Sequence, residues 1–159
     1  MIEIREATYN DIAAIAHVHV QADWETYSVL LGSEAHKIDL SESESRWRRA
    51  LQQGDILLVA NDGSEIIGLG HAGEAEIGAL YLLRSHQRKG IGRALLLRLL
   101  KTLKERCVAE ARFDVLPANS NAIKFYRSLG AHIIERRTVS SPSGATEQLV
   151  FAIPTFRAR

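Results

Sequence analysis

Residues 87–92 read Gln87-Arg88-Lys89-Gly90-Ile91-Gly92, and the chain changes character on either side of them. Before them, residues 77–83 form an apolar run that is typical of a buried strand, and after them residues 93–100 are leucine-rich and typical of a helix. The first turn of a helix has backbone N–H groups without partners, and the helix dipole adds partial positive charge there. This strand, turn and helix therefore predict a binding site for a phosphate or a similar anion.

The residue types in this turn favour a diphosphate. Two glycines allow a bulky group to approach the backbone closely, and Arg88, Lys89 and Arg93 add full positive charges. Neither the Gly-x-x-x-x-Gly-Lys-Ser/Thr loop nor the three-glycine dinucleotide fingerprint is present. By itself, the turn leaves open a simpler interpretation, which is a tight strand-to-helix connection with solvated basic residues.

Composition places the chain among ordinary soluble globular proteins. The 159 residues are 46% hydrophobic and 25% charged, which predicts one domain over residues 1–159. The net charge of +1 argues against a nucleic-acid partner. Cys107 is the one cysteine, which fits a reducing compartment, and we expect it to be buried at the end of an apolar helix. No apolar run reaches bilayer length, so we expect a cytoplasmic protein without a membrane partner, and a homodimer stays open.

Periodicity and turn residues predict the element order β-α-α-β-β-β-α-β-α-β-β. Thr8 and Asp11 resemble the start of one helix, and a capping box at Ser41-x-x-Glu44 predicts the start of a second helix that ends at Gly54. Further helices are expected over residues 91–107 and from 119 or 120 to 130. The predicted strands cover residues 2–5, 56–60, 66–70, 75–83, the neighbourhood of 113–115, 132–139 and 147–153, with a turn at 140–144.

Three motifs in this order resemble the GNAT acetyltransferase superfamily: Leu80-Tyr81-Leu82, the turn at 87–92, and Asn119-x-x-Ala122-x-x-Phe125-Tyr126-x-x-x-Gly130. The resemblance implies an α/β fold with a mixed, mostly antiparallel central sheet flanked by helices, and acetyl-coenzyme A (acetyl-CoA) as cosubstrate. Two positions depart from the family pattern. Arg84 stands where proline is common, and Arg88 stands where many members have a further glycine, but both glycines at the helix start are present.

The resemblance also implies which residues hold the coenzyme. The main chain of Leu80 would bind the pantetheine arm, and the N–H of Leu82 would polarise the thioester carbonyl. Asn119 would bind a pantetheine amide, or act as a helix cap, or do both. The complete expected set is Leu80, Leu82, Gln87, Arg88, Lys89, Gly90, Ile91, Gly92, Arg93 and Asn119.

Two residues are the catalytic candidates. An amine with a pKa of ~10.4 is mostly protonated at neutral pH, so a general base helps the transfer. Glu76 is the first candidate, because it is expected to share a strand face with Gly78 and Leu80 and it corresponds to the catalytic glutamate of histone-acetylating members. An ordinary solvent-facing glutamate is the equal alternative.

Glu74 and His71 are reserve bases. Tyr126 aligns with the tyrosine that protonates the departing thiolate in many members, and its usual pKa of ~10 would keep it protonated. The alternative is a packed helix aromatic.

These features predict an N-acetyltransferase that passes an acetyl group directly to a primary amine on a small molecule or a protein N-terminus, because no activated nucleophile is evident. A non-catalytic acyl-CoA-binding regulatory module is the alternative. A member that acetylates aminoacyl-tRNA is disfavoured by the nearly neutral charge. His17 and His19 lie two residues apart on a helix and so face different directions, and no metal site is expected.

Overall fold

The computed structural model describes residues 1–142 and 144–156 as helices packed on both faces of a central sheet. Its strands are β1 (Ile2–Glu6), β2 (Ile56–Asp62), β3 (Glu65–Gly73), β4 (Glu76–Leu82), β5 (Glu110–Val115), β6 (His132–Ser141) and β7 (Gly144–Pro154). Its α-helices are α1 (Ile12–Leu31), α2 (Leu40–Gln52), α3 (Ile91–Glu105) and α4 (Ser120–Ser128). The predicted element order is confirmed. The turn expected at 140–144 includes Ser143, which lies outside the described residues, as do residues 157–159.

The sheet is mixed and mostly antiparallel, as the resemblance implied. The strand order is β1-β2-β3-β4-β5-β7-β6, and every neighbouring pair is antiparallel except β4 and β5. The β2–β3 hairpin turns at the predicted Asn-Asp-Gly-Ser segment. The parallel pair at the centre is made possible by α3, which carries the chain from the end of β4 to the start of β5.

Two apolar clusters cover the two faces of the sheet. Alternation along β2 directs Leu58 and Ala60 to the face covered by α3, and Leu57 and Val59 to the face covered by α1 and α2. In α3, the leucines at 95, 96, 99 and 103 are fully buried. Trp47 of α2 is fully buried in the second cluster, so it belongs to the core. These clusters fix both helical layers against the sheet and so fix the space between them.

Several local expectations need correction. Helix α2 begins two residues earlier than predicted, because its cap is Asp39 and not Ser41: the carboxylate of Asp39 accepts a hydrogen bond from the backbone N–H of Glu42 at 3.1 Å. Helix α3 ends at Glu105 rather than at 107. Cys107 therefore lies in the following turn, with φ of 64°, and it is exposed rather than buried. The apolar run misled the sequence analysis about where the last turn of the helix stops.

A β-bulge at Gly78 changes which way the side chains of β4 point. Ile77 pairs with Ala72 and Ala79 pairs with His71, so Gly78 has no opposing residue of its own. Ile77 and Leu80, three residues apart, consequently both contact the α3-side cluster. Glu76 alternates with Ile77 and shares the opposite face with Gly78, so the expectation that it also shares a face with Leu80 is wrong. A Cβ on Gly78 would lie 2.5 Å from Nδ1 of His71, which explains why glycine occupies the bulge.

Asp11 joins the start of α1 to β1, and this contact generates a pH-dependent prediction. Both carboxylate oxygens accept hydrogen bonds from the guanidinium of Arg5, at 2.7 and 2.9 Å, and this pairing lowers the pKa of Asp11 to about 2. Asp11→Asn should therefore lower the free energy of unfolding by about 1–2 kcal/mol at pH 7. Because the folded-state pKa lies below the unfolded value, the wild-type advantage should be complete above roughly pH 4 and should disappear as the pH falls through about 2.

Urea unfolding of both proteins across this pH range measures the difference. The matched control is Glu34→Gln, which changes an exposed carboxylate without an ion pair among the described residues. An Asp11→Asn deficit that stayed constant down to pH 2 would contradict the assignment.

Candidate active site

The centre of the sheet opens where β4 and β5 diverge. Only Glu76 and Arg112 are in register between these strands, next to a hydrogen bond of 2.9 Å from the N–H of Arg112 to the carbonyl of Ala75. Beyond this point, β4 continues to Leu82 and β5 to Val115 with no ladder between them in the described chain. The sheet therefore contains a gap between two strands that a regular sheet would keep paired.

Backbone groups of β4 face this gap. The N–H of Leu83 donates to the carbonyl of Ile67 on β3 at 3.0 Å. Since the groups of successive residues alternate between the two edges of a strand, the N–H groups of Leu80 and Leu82 point away from β3 and towards the gap. Two main-chain donors, two residues apart along the strand, are thus available for a ligand at the positions that the sequence predicted.

The turn before α3 has an unusual backbone. Arg88 has φ of 63° and Gly90, the helix N-cap, has φ of 82°, so both adopt the left-handed conformation. No side chain caps the helix, and its first hydrogen bond runs from Ala94 N–H to the carbonyl of Gly90 at 3.1 Å. The donors at positions 91–93 consequently have no partner within the described residues. Left-handed turns of this kind direct consecutive N–H groups into one concavity, which suits an anion.

Gln87 secures this turn, which comprises residues 87–92 and is called the anion turn below, to the end of β4. Its side-chain amide Nε2 donates to the carbonyl of Leu82 at 3.0 Å. Its role in the fold is therefore to hold the anion turn at a fixed position beside the gap. This contact also occupies the Leu82 carbonyl, so the free main-chain group of Leu82 is its N–H.

Tyr126 lies on α4, at the side of the gap formed by β5. Its half-buried ring contacts Phe113, with ring centroids 4.3 Å apart, and Phe125 at 5.1 Å. Burial raises the pKa of the Tyr126 hydroxyl above 10, so the group remains a proton donor at neutral pH. Asn119 caps α4, because its Oδ1 accepts from the N–H of Ala122 at 3.2 Å. The cap interpretation of Asn119 is confirmed, and its amide nitrogen is still available to a ligand.

Asp23 is a residue that the sequence analysis missed. It is only 9% exposed, on the face of α1 that covers β4, and its Oδ2 accepts a hydrogen bond from the hydroxyl of Tyr81 at 3.0 Å. Burial raises the pKa of this carboxyl, and the Tyr81 bond partly opposes the shift. The sequence held a signal for this position, because Asp23 continues the helical spacing of Ile12, Ala16 and His19, which were predicted to lie on the buried face of α1. A carboxylate on that stripe must lie against the sheet.

The ring of His19 packs against the ring of Tyr81, to which Asp23 bonds, with centroids 5.0 Å apart. His19 is 1% exposed, and burial lowers the pKa of its imidazole to about 4. Its Nδ1 accepts from Trp47 Nε1 at 3.2 Å and lies 2.7 Å from Ser43 Oγ, so the ring proton is on Nε2. These contacts join α1 to α2 and hold the layer above β4 in place.

The two reserve bases lie apart from the gap. His71 Nε2 is 2.9 Å from Asp55 Oδ2, and the His71 ring contacts Trp47 in the core, at 5.4 Å between centroids. Glu74 occupies the turn between β3 and β4, with φ of 53°. Neither position favours the role of base.

A charged cavity of about 260 Å³ lies at the point where β4 and β5 part. Its charged lining residues are Glu76, Arg112, Asp114, Glu135 and Arg137. Two of these are neutralised by each other, since Nη2 of Arg137 lies 2.8 and 3.0 Å from the carboxylate oxygens of Asp114. The sequence analysis found Glu76 but not the others, because β5 and β6 reach this site only through long-range strand pairing.

The contacts of Arg84 explain why this position does not hold the proline that is common in the family. Its backbone N–H donates to Glu25 Oε2 at 2.8 Å, and its guanidinium bonds to the carbonyl of Glu25. Proline has no N–H and could not make the first bond. The loop after β4 is thereby tied to the second half of α1, so the anion turn and the α1 wall of the gap are linked.

Within the described ranges, no group of three or more His, Cys, Asp or Glu side chains is arranged to hold a metal ion. A search of the described helices also finds none with both the length and the apolar character that crossing a bilayer requires.

Comparison with known proteins gives consistent matches. The family model described as "Acetyltransferase (GNAT) family" matches residues 15–131. An uncharacterized N-acetyltransferase, YuaI, of Bacillus subtilis is 30% identical over 106 residues, which are 60% of this chain and 61% of that protein. The [ribosomal protein bS18]-alanine N-acetyltransferase of Escherichia coli is 37% identical over 71 residues, 43% of this chain and 48% of that protein. The chain thus spans from about half to three fifths of the length of these relatives.

Among solved structures, the PaiA N-acetyltransferase of Thermoplasma acidophilum in complex with coenzyme A superposes with a TM-score of 0.75 at 25% identity. The match covers 97% of this chain and 99% of that one.

Proposed function

This chain belongs to the GNAT acetyltransferase family, and we propose that it transfers an acetyl group from acetyl-CoA directly to a primary amine. The observation that carries the proposal is the gap between β4 and β5, with the free donors of Leu80 and Leu82 on one side and the uncapped start of α3 at its end. A coenzyme has a long flexible arm and a diphosphate, and these two sets of donors suit the two parts. The coenzyme complex of the PaiA relative supports the same ligand class.

In this proposal, the diphosphate binds the N–H groups at positions 91–93, with Arg88, Lys89 and Arg93 supplying charge around it. The pantetheine arm then lies along β4, where Leu80 and Asn119 offer a main-chain and a side-chain partner. The N–H of Leu82 donates to the thioester carbonyl oxygen and stabilises the negative charge that develops there. The main-chain donors and Asn119 are held by the fold before the ligand arrives, which reduces the ordering cost of binding.

In the chemical step, two protons are transferred, one bond to the acetyl carbon forms and another breaks. The neutral amine nitrogen forms a bond to the acetyl carbon, the carbon–sulfur bond breaks, and the sulfur leaves as a thiolate. Tyr126 donates its hydroxyl proton to that thiolate, and its raised pKa keeps this proton on the hydroxyl until the transfer. The proton lost by the amine goes to a carboxylate or to water.

Two carboxylates are candidates to accept the amine's proton. Glu76 is exposed in the charged cavity, whereas Asp23 is buried beside Tyr81. We retain Glu76 as the candidate that follows from the family resemblance and add Asp23 from the structure. The raised pKa of Asp23 brings its basicity closer to neutral pH, which favours it as a general base.

The acceptor is an amine on a small molecule or at a protein N-terminus. The name of the Escherichia coli relative, which acts on an alanine of bS18, supports the protein acceptor. We also propose a cytoplasmic location, because the exposed free thiol of Cys107 suits a reducing compartment.

Calorimetry with acetyl-CoA, followed by release of free thiol with a panel of amines, tests the proposed reaction. Binding together with thiol release supports a transferase. Binding without release for any amine would support the regulatory module instead, and absence of binding would overturn both.

Gly92→Leu separates coenzyme binding from folding. The nearest atom to a Cβ at this position is Phe125 Cζ at 3.9 Å, so the fold accepts a side chain there, but a leucine would cover the N–H groups of the first turn. We expect the Kd for coenzyme A to rise about tenfold or more, with little change in the thermal unfolding of the free protein. Arg98→Leu, two turns further along α3 and exposed, is the control. Unchanged affinity in Gly92→Leu would place the diphosphate elsewhere.

Tyr126→Phe removes the proposed proton donor and keeps the ring contacts with Phe113 and Phe125. We expect kcat to fall roughly 10²-fold or more, as is typical for loss of a general acid, while the Kd of acetyl-CoA changes less than about twofold. Steady-state kinetics and calorimetry give the two values. The control is Tyr9→Phe, since Tyr9 is exposed on the turn before α1. If the rate of Tyr126→Phe equals that of the wild type, another group protonates the thiolate.

A further inference from the structure

The hydroxyl of Tyr81 and the carboxylate of Asp23 meet beside the strand segment that carries the two free donors of the gap. Tyr81 lies between Leu80 and Leu82 on β4, and its side chain packs on the face that α1 and α2 cover. Its hydroxyl donates to Asp23 Oδ2 at 3.0 Å. Asp23 is therefore one side chain away from the part of β4 where the thioester lies in the proposed complex.

Tyr27 lies beside this pair on the same helix. It follows Asp23 by four residues, so the two side chains are neighbours on one face of α1. Burial and then the negative charge of Asp23 raise the pKa of Tyr27, and one group changes the pKa of another in this way only from nearby. The bonds between Arg84 and Glu25 hold this part of α1 against the end of β4. The half-buried Tyr27 is thus held near the gap.

Tyr126 approaches Tyr27 from the other face of the sheet. Its ring packs in the α3-side cluster against Phe113, whereas Tyr27 belongs to the helix that covers the opposite face. Burial and then Tyr27 nevertheless raise the pKa of Tyr126, so the two hydroxyls lie near each other. Paired strands would separate them, and the gap between β4 and β5 lets them meet. Among residues 1–142 and 144–156, neither hydroxyl has a hydrogen-bond partner.

The proton donor proposed for the thiolate holds its proton firmly. Since burial raises its pKa, Tyr126 would leave a phenolate in a site that disfavours charge. This phenolate does not form if a second proton reaches the phenolic oxygen as the first one leaves. Tyr27 has a hydroxyl in this position. Burial also raises the pKa of Asp23, which the Tyr81 bond and the charge of Arg46 oppose only in part, so Asp23 holds a proton better than an exposed carboxylate.

We propose that Tyr27 joins Asp23 to Tyr126 in a proton relay, so that the proton lost by the acceptor amine returns to the group that protonates the thiolate. This inference rests on the proposed acetyl transfer and takes Asp23, rather than Glu76, as the base. Tyr27 does not touch the reacting atoms and acts through its two neighbours.

The protons of the relay balance within one turnover. As the carbon–sulfur bond breaks, Tyr126 Oη gives its proton to the sulfur and takes the proton of Tyr27 Oη. Tyr27 in turn takes the proton that Asp23 has received from the amine, directly or through water. One proton has left the nitrogen, one has reached the sulfur, and all three residues are back in their starting states.

Tyr27→Phe removes one hydroxyl of the relay and keeps the ring. We expect kcat for thiol release to fall about tenfold or more with any amine that the wild type acetylates, while the Kd for acetyl-CoA changes less than about twofold. Thermal unfolding should change little. Tyr9→Phe, which removes an exposed hydroxyl just before α1, is the control and should keep the wild-type rate.

A double-mutant cycle separates a relay from a structural role, because a relay works only when all its members are present. In a Tyr126→Phe background, Tyr27→Phe should slow the reaction by less than about twofold, since no hydroxyl is left to reprotonate. The same should hold in an Asp23→Asn background, where the amide keeps an acceptor for the Tyr81 hydroxyl but cannot receive the amine's proton. A merely structural role of Tyr27 would reduce the rate by the same factor in all three backgrounds.

Three results would overturn the inference while the transferase proposal survives: a wild-type rate for Tyr27→Phe, Asp23→Asn or Tyr126→Phe, a Tyr27→Phe effect of unchanged size in either background, or an effect on coenzyme affinity alone. Coenzyme binding with no turnover of any amine would also overturn it and would support the regulatory module. Absence of coenzyme binding would overturn the proposed function, and this inference with it.

Discussion

The separation of β4 from β5 after a single registered pair is the constraint on which the rest of the structure depends. Unpaired backbone donors in a sheet are costly unless water or a ligand satisfies them. Here they are kept open because both faces of the sheet are fixed independently: α3 and its leucines pack below, and α1 with α2 and Trp47 pack above. The gap is thus supported by two cores, and it does not need strand pairing at its own edges.

Three local features make the two ends of the gap different from each other. The left-handed turn at Arg88 and Gly90 directs amides to one end, and Gln87 ties that turn to Leu82. Towards the other end of β4, Gly78 forms a bulge, and its carbonyl accepts a hydrogen bond from Arg46 of α2. The turn at residues 87–92 therefore follows one end of β4, and the bulge lies near the other end. This arrangement suits a reaction that brings together a large anionic donor molecule and a smaller acceptor.

The sequence was sufficient for the elements and for the turn that precedes α3, because those features are local. The turn at 87–92, the capping role of Asn119 and the alternation along β2 all depend on neighbours within a few residues. The charged cavity was harder to predict. Asp114, Glu135 and Arg137 meet only through pairing of β5 with β7 and of β7 with β6. The face of Glu76 relative to Leu80 was predicted wrongly, since a single unpaired residue reverses strand alternation and leaves no clear mark in composition. Asp23 was missed although it follows the apolar stripe of α1.

The amide signals of the protein during titration with acetyl-CoA test the central claim most directly, because they report on individual backbone donors. If the diphosphate binds the uncapped start of α3 and the thioester lies in the gap, the amides of Ile91, Gly92 and Arg93 should shift strongly and saturate together with those of Leu80 and Leu82. Amides in the β6–β7 hairpin should change little. Saturable binding that left the amides at 91–93 and at 80 and 82 unperturbed would contradict the account.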